Sequence, residues 1–181
     1  MPGKQKMTGY IGANRRRCIV WTWWKHYERK RGVSCMNIQP DFEELLRLLE
    51  KHDVDYMIVG GYAVAFHGHP RFTKDIDIFF SADKDNVERI KEALHEFGFN
   101  RQSLSIEMFM DPKNVISFGE VPVRVDFLSE IDGVPYAEAR KNRIRGRYGD
   151  VEVNFIGRLD LIANKLSTKR TRDKGDAEEL M

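Results

Sequence analysis

The chain has 181 residues, of which 41% are hydrophobic and 32% charged, and a formal net charge of +2. That length supports one domain with its own core, and the composition excludes a disordered or fibrous chain. The net charge alone names no partner, but it is unevenly placed. Residues 1–35 hold nine basic residues against Glu28 alone, a net of +8, so the other 146 residues carry −6.

The leading segment also holds all three tryptophans and both cysteines. Its "RRRCIVWTWWKH" has too short an apolar run for a secretory signal, and Lys25 and His26 interrupt it. Seven apolar-leaning residues do not span a bilayer either. A basic segment with interleaved aromatics could touch RNA or a membrane surface. The preferred expectation is plainer: residues 1–35 are a disordered N-terminal extension or a misassigned start, because "MNIQPDFEELLRLLEK" from Met36 reads like a natural beginning. The main domain is then 36–181. It has no cysteine, hence no disulfide and no thiolate metal site, and a cytoplasmic location is expected.

From Met36 the elements alternate. "PDFEELLRLLEKH" carries a helical stripe at Phe42, Leu45, Leu46, Leu48 and Leu49, with Asp41 placed to cap it. "VDYMIVGG" predicts a buried strand ending in a glycine turn, and "YAVAFHG" a short helix. "DIDIFF" alternates as a second strand, and "DKDNVERIKEALHEFGF" predicts a helix stopped at Gly98. "SIEMFM" and "VISF" are expected as strands about a turn at 111–114. "VPVRVDFL" alternates clearly, with Pro122 holding its start to an edge or a strand end. "YAEARKN" predicts a short helix, "RIRGRY" and "VEVNFI" a hairpin through Gly149 and Asp150, and "LDLIANKLSTK" and "DKGDAEELM" two helices. The chain stops within the last of these, so the expectation is of a missing C-terminal part. The sum is an α/β domain with a mixed sheet flanked by helices.

Asp75 and Asp77 stand in the apolar strand "DIDIFF". A strand has period two, so both project from one face while Ile76, Ile78 and Phe80 face a core. Carboxylate oxygens converging to about 4 Å repel by about 4 kcal/mol at an effective dielectric near 20. A divalent cation would offset that, and an oxygen-only donor set suits Mg²⁺ or Mn²⁺. "VRVDFL" repeats the anomaly with Asp126, on the same face as Arg124. Three carboxylates on neighbouring strands suit in-line phosphoryl or nucleotidyl transfer. Gly60 and Gly61 lie 13 residues or so upstream, where a turn's backbone N–H groups favour a phosphate.

"VGGYAVAFHGHPRFTKDIDIFF" resembles the polymerase-β-type nucleotidyltransferase signature, and "VRVDFL" is similar to that superfamily's third-carboxylate strand. The wider pattern, with "LIANKLSTKRTRDKGDAEEL", looks like the small AbiEii-type nucleotidyltransferases of abortive-infection and toxin–antitoxin systems. The resemblance covers residues 36–181 and implies a nucleotidyltransferase-like fold. It implies that Gly60 and Gly61 lie against nucleotide phosphates and that Asp75, Asp77 and Asp126 bind the metal, Asp126 also helping to deprotonate the acceptor. Arg71 and Lys165 would contact phosphate, and Thr73 would support the loop. The substrate implied is an NTP, the acceptor a hydroxyl of RNA, protein or a small molecule, and the partner a cognate antitoxin or toxin, with no membrane.

Plainer readings stand beside these. The aspartates could be solvated acids of an edge strand, and Asp126 could pair with Arg124. Lys165 on a helix is ordinarily solvated, and Asp173 and Asp176 could be helix caps. His67 and His69 without a cysteine are more often turn residues than zinc ligands. An antibiotic-modifying nucleotidyltransferase and a non-catalytic nucleotide-binding or antitoxin-like module are the alternative functions.

Overall fold

The computed structural model describes residues 11–12, 17–21, 38–120 and 123–181. Two short strands, β1 (Ile11–Gly12) and β2 (Arg17–Trp21), lie at its head. The rest of what the sequence suggests for residues 1–35 falls outside the described residues.

Helix α1 (Pro40–Lys51) opens with proline at its first position and Gln39 as N-cap. Asp41 is therefore not the cap. It sits inside the first turn with Glu43, where carboxylates favour the helix's positive end. Phe42, Leu45, Leu46 and Leu49 are buried, each side chain contributing about 1.5–3 kcal/mol of apolar burial. Strand β3 (Tyr56–Val59) follows and runs straight into α2 (Gly60–Phe66). Then come β4 (Asp75–Phe80), α3 (Lys84–Glu96) and a 3₁₀ turn at Arg101–Ser103.

The next segment departs from expectation. Ile106–Met110 is a helix, α4, rather than a strand. Ser105 caps it by accepting a hydrogen bond from the Met108 N–H, and Phe109 then packs edge-on against Phe80. Local capping and one aromatic anchor outweigh the strand propensity of the run.

Strands β5 (Asn114–Glu120) and β6 (Val123–Leu128), helix α5 (Tyr136–Asn142) and the hairpin of β7 (Ile144–Tyr148) and β8 (Val151–Phe155) complete the sheet. Gly149 turns the hairpin at φ +59°. Helices α6 (Arg158–Ser167) and α7 (Thr171–Leu180) pack on each other at the end of the chain.

The strand order is β1-β2-β5-β6-β4-β3-β8-β7. Strand β4 is antiparallel to β3 and parallel to β6, and β6 is antiparallel to β5, so the sheet is mixed as expected. The acidic strand is thus central rather than an edge. Ile76, Ile78 and Phe80 are buried on one face, with α4 against Phe80. Phe79 projects from the opposite face onto Tyr136 of α5, at 4.9 Å between ring centroids. Asp75 and Asp77 share that second face with Phe79, at the end of β4 that α5 leaves open.

Candidate active site

The strand registers draw four residues into one row. Val59 of β3 is opposite Asp77 of β4, Asp77 is beside Asp126 of β6, and Asp126 is opposite Ser117 of β5. Neighbouring strands lie about 4.8 Å apart, so Asp77 and Asp126 are adjacent carboxylates. Gly60 follows Val59 directly, in the left-handed conformation at φ +65°. A methyl group at Gly60 would overlap Asp77 Oδ2, so the glycine lets the α2 N-terminus lie directly against the carboxylate. One row further along β4, Asp75 is beside Arg124.

Charge in this row is poorly balanced. Arg124 Nη2 donates to Asp75 Oδ2 at 2.8 Å and to Asp126 Oδ2 at 3.0 Å. One guanidinium thus serves two acids, and with all three ionised two negative charges remain in excess. Burial pushes the Asp77 carboxyl up to about 7, with the Asp126 charge adding to the rise and Lys165 opposing it. Burial also raises Asp126, against the hydrogen bond that Ser117 Oγ donates to its Oδ1 at 2.6 Å. Asp75 Oδ1 is buried without a hydrogen-bond partner.

Among the described residues, no three histidine, cysteine, aspartate or glutamate side chains are arranged to hold a metal ion as they stand. Arg124 contacts two of the carboxylates, Asp75 and Asp126, through one guanidinium nitrogen. The donor set itself fits a hard dication. It is all carboxylate oxygen, it has an orphaned buried acceptor in Asp75, and its excess charge is that of one divalent ion.

The expected phosphate contacts take a particular form. Gly61, the second residue of α2, lies beside Thr73 and Arg71. A Cβ there would stand 2.7 Å from Thr73 Oγ1 and 3.2 Å from Arg71 Nη1. Thr73 Oγ1 also reaches the Asp75 carbonyl at 3.3 Å. Arg71 Nη2 donates to Asp176 Oδ2 at 2.9 Å, and its Nε lies 2.8 Å from Oδ1. Lys165 is buried rather than solvated, 6% exposed, with Nζ 2.6 Å from Asp173 and 3.0 Å from Asp176. Asp173 and Asp176 are not caps; Arg170 holds that position on α7. Burial raises the Asp173 carboxyl, but hydrogen bonds from Lys165 and Thr168 outweigh it and hold the group below the usual range. Two cations and two carboxylates thus neutralise each other behind the glycine turn.

Apart from Asp176, these groups border one cleft of about 1060 Å³, which also takes in Lys169, Arg170 and Arg172 from the α6–α7 junction. His67 is not among them: its Nε2 is 2.8 Å from the Ile156 carbonyl, a structural hydrogen bond. Ser117 was not anticipated, although a hydroxyl amid the apolar residues of "VISF" was a readable signal. Arg124 was anticipated only as a partner of Asp126, not as the link to Asp75.

Among the described residues, no helix is long and apolar enough to cross a membrane. A search of curated proteins returned no match. Residues 39–181 match the model of a family described as "Nucleotidyl transferase of unknown function (DUF2204)". The match covers most of the chain, including the glycine turn, all three aspartates and both final helices, and the chain belongs to this DUF2204 nucleotidyl transferase family.

Proposed function

We propose that the chain is a metal-dependent nucleotidyltransferase that moves an NMP from an NTP to a hydroxyl acceptor and releases pyrophosphate. The observation that carries this is the register row: Gly60, Asp77 and Asp126 stand side by side across three strands, with Asp75 one row away.

Asp75, Asp77 and Asp126 would hold Mg²⁺ or Mn²⁺. Such an ion supplies Lewis acidity to the reacting phosphoryl group and lowers the pKa of a bound hydroxyl. The remaining work falls to the chain's own groups. The backbone N–H groups of Gly60 and Gly61 at the start of α2 receive phosphate oxygens, and Gly61 allows close approach. Arg71 and Lys165, fixed by Asp173 and Asp176, line the phosphate side. The acceptor oxygen forms a bond to the α-phosphorus as the bond to pyrophosphate breaks. The acceptor's proton passes to Asp126, the carboxylate beside Asp77 in the row. Ser117 holds the other oxygen of that carboxylate in place.

The AbiEii-like pattern of the final two helices supports a place in a toxin–antitoxin or phage-defence system, in the cytoplasm, with a cognate regulator as partner. Incubation with labelled NTPs, Mg²⁺ and cell extract is the direct assay. Label transfer is expected, and it is lost in Asp77→Asn; transfer undiminished by that change would refute the role given to the carboxylates. A screen for antibiotic resistance separates the antibiotic-modifying alternative.

A further inference from the structure

Phe72 is 69% exposed in the middle of the loop whose neighbours Arg71 and Thr73 line the cleft. A large aromatic held in water at the mouth of an active site requires an explanation. The loop is not loose there, because Arg172 Nη2 of α7 donates to the Phe72 carbonyl at 2.9 Å. Lys74 Nζ lies over the ring at 6.0 Å from its centroid, the outer limit of a cation–π contact, and still leaves Phe72 69% exposed. Lys169, Arg170 and Arg172 border the same cleft, and all three are exposed. Among the described residues no carboxylate lies within ion-pair distance of Lys74, Lys169, Arg170 or Arg172, although Arg170 is near enough to Asp173 to help hold its carboxyl low. This contrasts with Arg71 and Lys165 deeper in the cleft, whose charges Asp173 and Asp176 already balance.

An NTP's phosphates give the inner groups a use, but they give none to an outward-facing phenyl ring. An exposed, backbone-anchored aromatic with Lys74 and Arg172 beside it, and further exposed cations along the adjoining cleft, supply the two elements of single-stranded nucleic-acid binding: a positive track for phosphates and a π-face for a base. We propose that the acceptor is the end of a single-stranded nucleic acid, one base stacking on Phe72 and the adjoining phosphates lying against Lys74, Lys169, Arg170 and Arg172. What is then done to that end rests on the nucleotidyltransferase reading; the binding does not.

The test is therefore made without NTP or metal. A fluorescein-labelled single-stranded RNA 12-mer is titrated with the full chain, with anisotropy as the readout, at several salt concentrations. The wild type is expected to bind with affinity that falls steeply with salt. Phe72→Ala is expected to weaken binding about tenfold and Phe72→Trp to restore it, since stacking needs a ring and not a particular one. Arg170→Gln with Lys169→Gln should flatten the salt dependence. Equal binding by wild type and Phe72→Ala would overturn the proposal, as would competition by poly-glutamate as effective as that by unlabelled RNA. Phe72 is too exposed for its truncation to unfold the domain. RNA binding without nucleotidyl transfer would sink the enzymatic reading, and the acceptor role with it, and leave the single-strand binding site standing. Transfer onto protein with no RNA binding would do the reverse.

Discussion

Arg71, on the loop before the acidic strand, is joined to Asp176 on the last helix, 105 residues further on, through two contacts of 2.8 and 2.9 Å. The pair binds α7 to the loop that carries Arg71, Phe72 and Thr73. Asp176 is only 4% exposed and also faces Lys165. Removing its charge leaves Arg71 without its carboxylate and Lys165 with Asp173 alone, in a largely buried place. Asp176→Asn is expected to cost about 2–3 kcal/mol of stability, measured by urea denaturation. In a double-mutant cycle, Arg71→Ala should cost much less in the Asp176→Asn background than alone. Additive effects would mean that the pair is incidental.

Gly60→Ala tests the contact between glycine turn and carboxylate. The new methyl would be strained at φ +65° and would collide with Asp77 Oδ2. Backbone strain of this kind costs about 1–2 kcal/mol, and the displaced Asp77 should remove most label transfer. Gly61→Ala meets Thr73 Oγ1 at 2.7 Å and Thr73 Cβ at 2.8 Å, so the loop must shift, but Gly61 lacks the positive φ that adds backbone strain at Gly60. It should therefore cost less stability than Gly60→Ala while weakening nucleotide binding, read as a smaller NTP-induced rise in Tm. Equal losses of stability in both variants would argue against this distinction.

Asp77 should make the metal-free protein less stable as pH rises. Its folded pKa of about 7 lies above its unfolded value near 3.8, so the folded state binds a proton more tightly. The stability this confers is complete below about pH 4 and is lost as pH climbs through 7. Asp126, also raised, acts in the same direction. Asp173, held low, acts oppositely, but only where pH falls below its ordinary range. In EDTA, unfolding free energy should drop by about 2 kcal/mol between pH 5 and 8, and Asp77→Asn should flatten most of that slope. A wild-type profile that is level across this range would contradict the crowding of carboxylates described here.

Much of this site was legible because charge in an apolar strand is conspicuous. Asp75, Asp77 and Asp126 each interrupt a hydrophobic alternation, and the Gly-Gly pair marks the preceding turn. The register that sets Asp77 beside Asp126 was not legible, since it depends on β4 and β6 pairing directly and in parallel across a sequence separation of 49 residues. Lys165 looked solvated because a helical lysine usually is. Its burial depends on α7 folding back to bring Asp173 and Asp176 within 3.0 Å. The strand expected at 105–110 failed for the opposite reason: a local cap decided what a short apolar run could not.

Arg124 offers the sharpest test of the metal reading. Its guanidinium spans Asp75 and Asp126, two of the three carboxylates that would hold an ion, so it both relieves their repulsion and competes for their oxygens. In Arg124→Met the side chain keeps its bulk and loses its charge. The metal-free variant should be less stable by about 1 kcal/mol, a modest figure because Arg124 and Asp75 are each about a third exposed. Mn²⁺ should bind the variant more tightly than it binds the wild type, by about fivefold or more given the extra negative charge, with free Mn²⁺ followed by electron paramagnetic resonance. Added Mn²⁺ should then raise the variant's Tm more than the wild type's. Weaker Mn²⁺ binding in Arg124→Met would show instead that the arginine holds the carboxylates in the arrangement the ion needs. Mn²⁺ bound by neither protein would remove the metal from the mechanism.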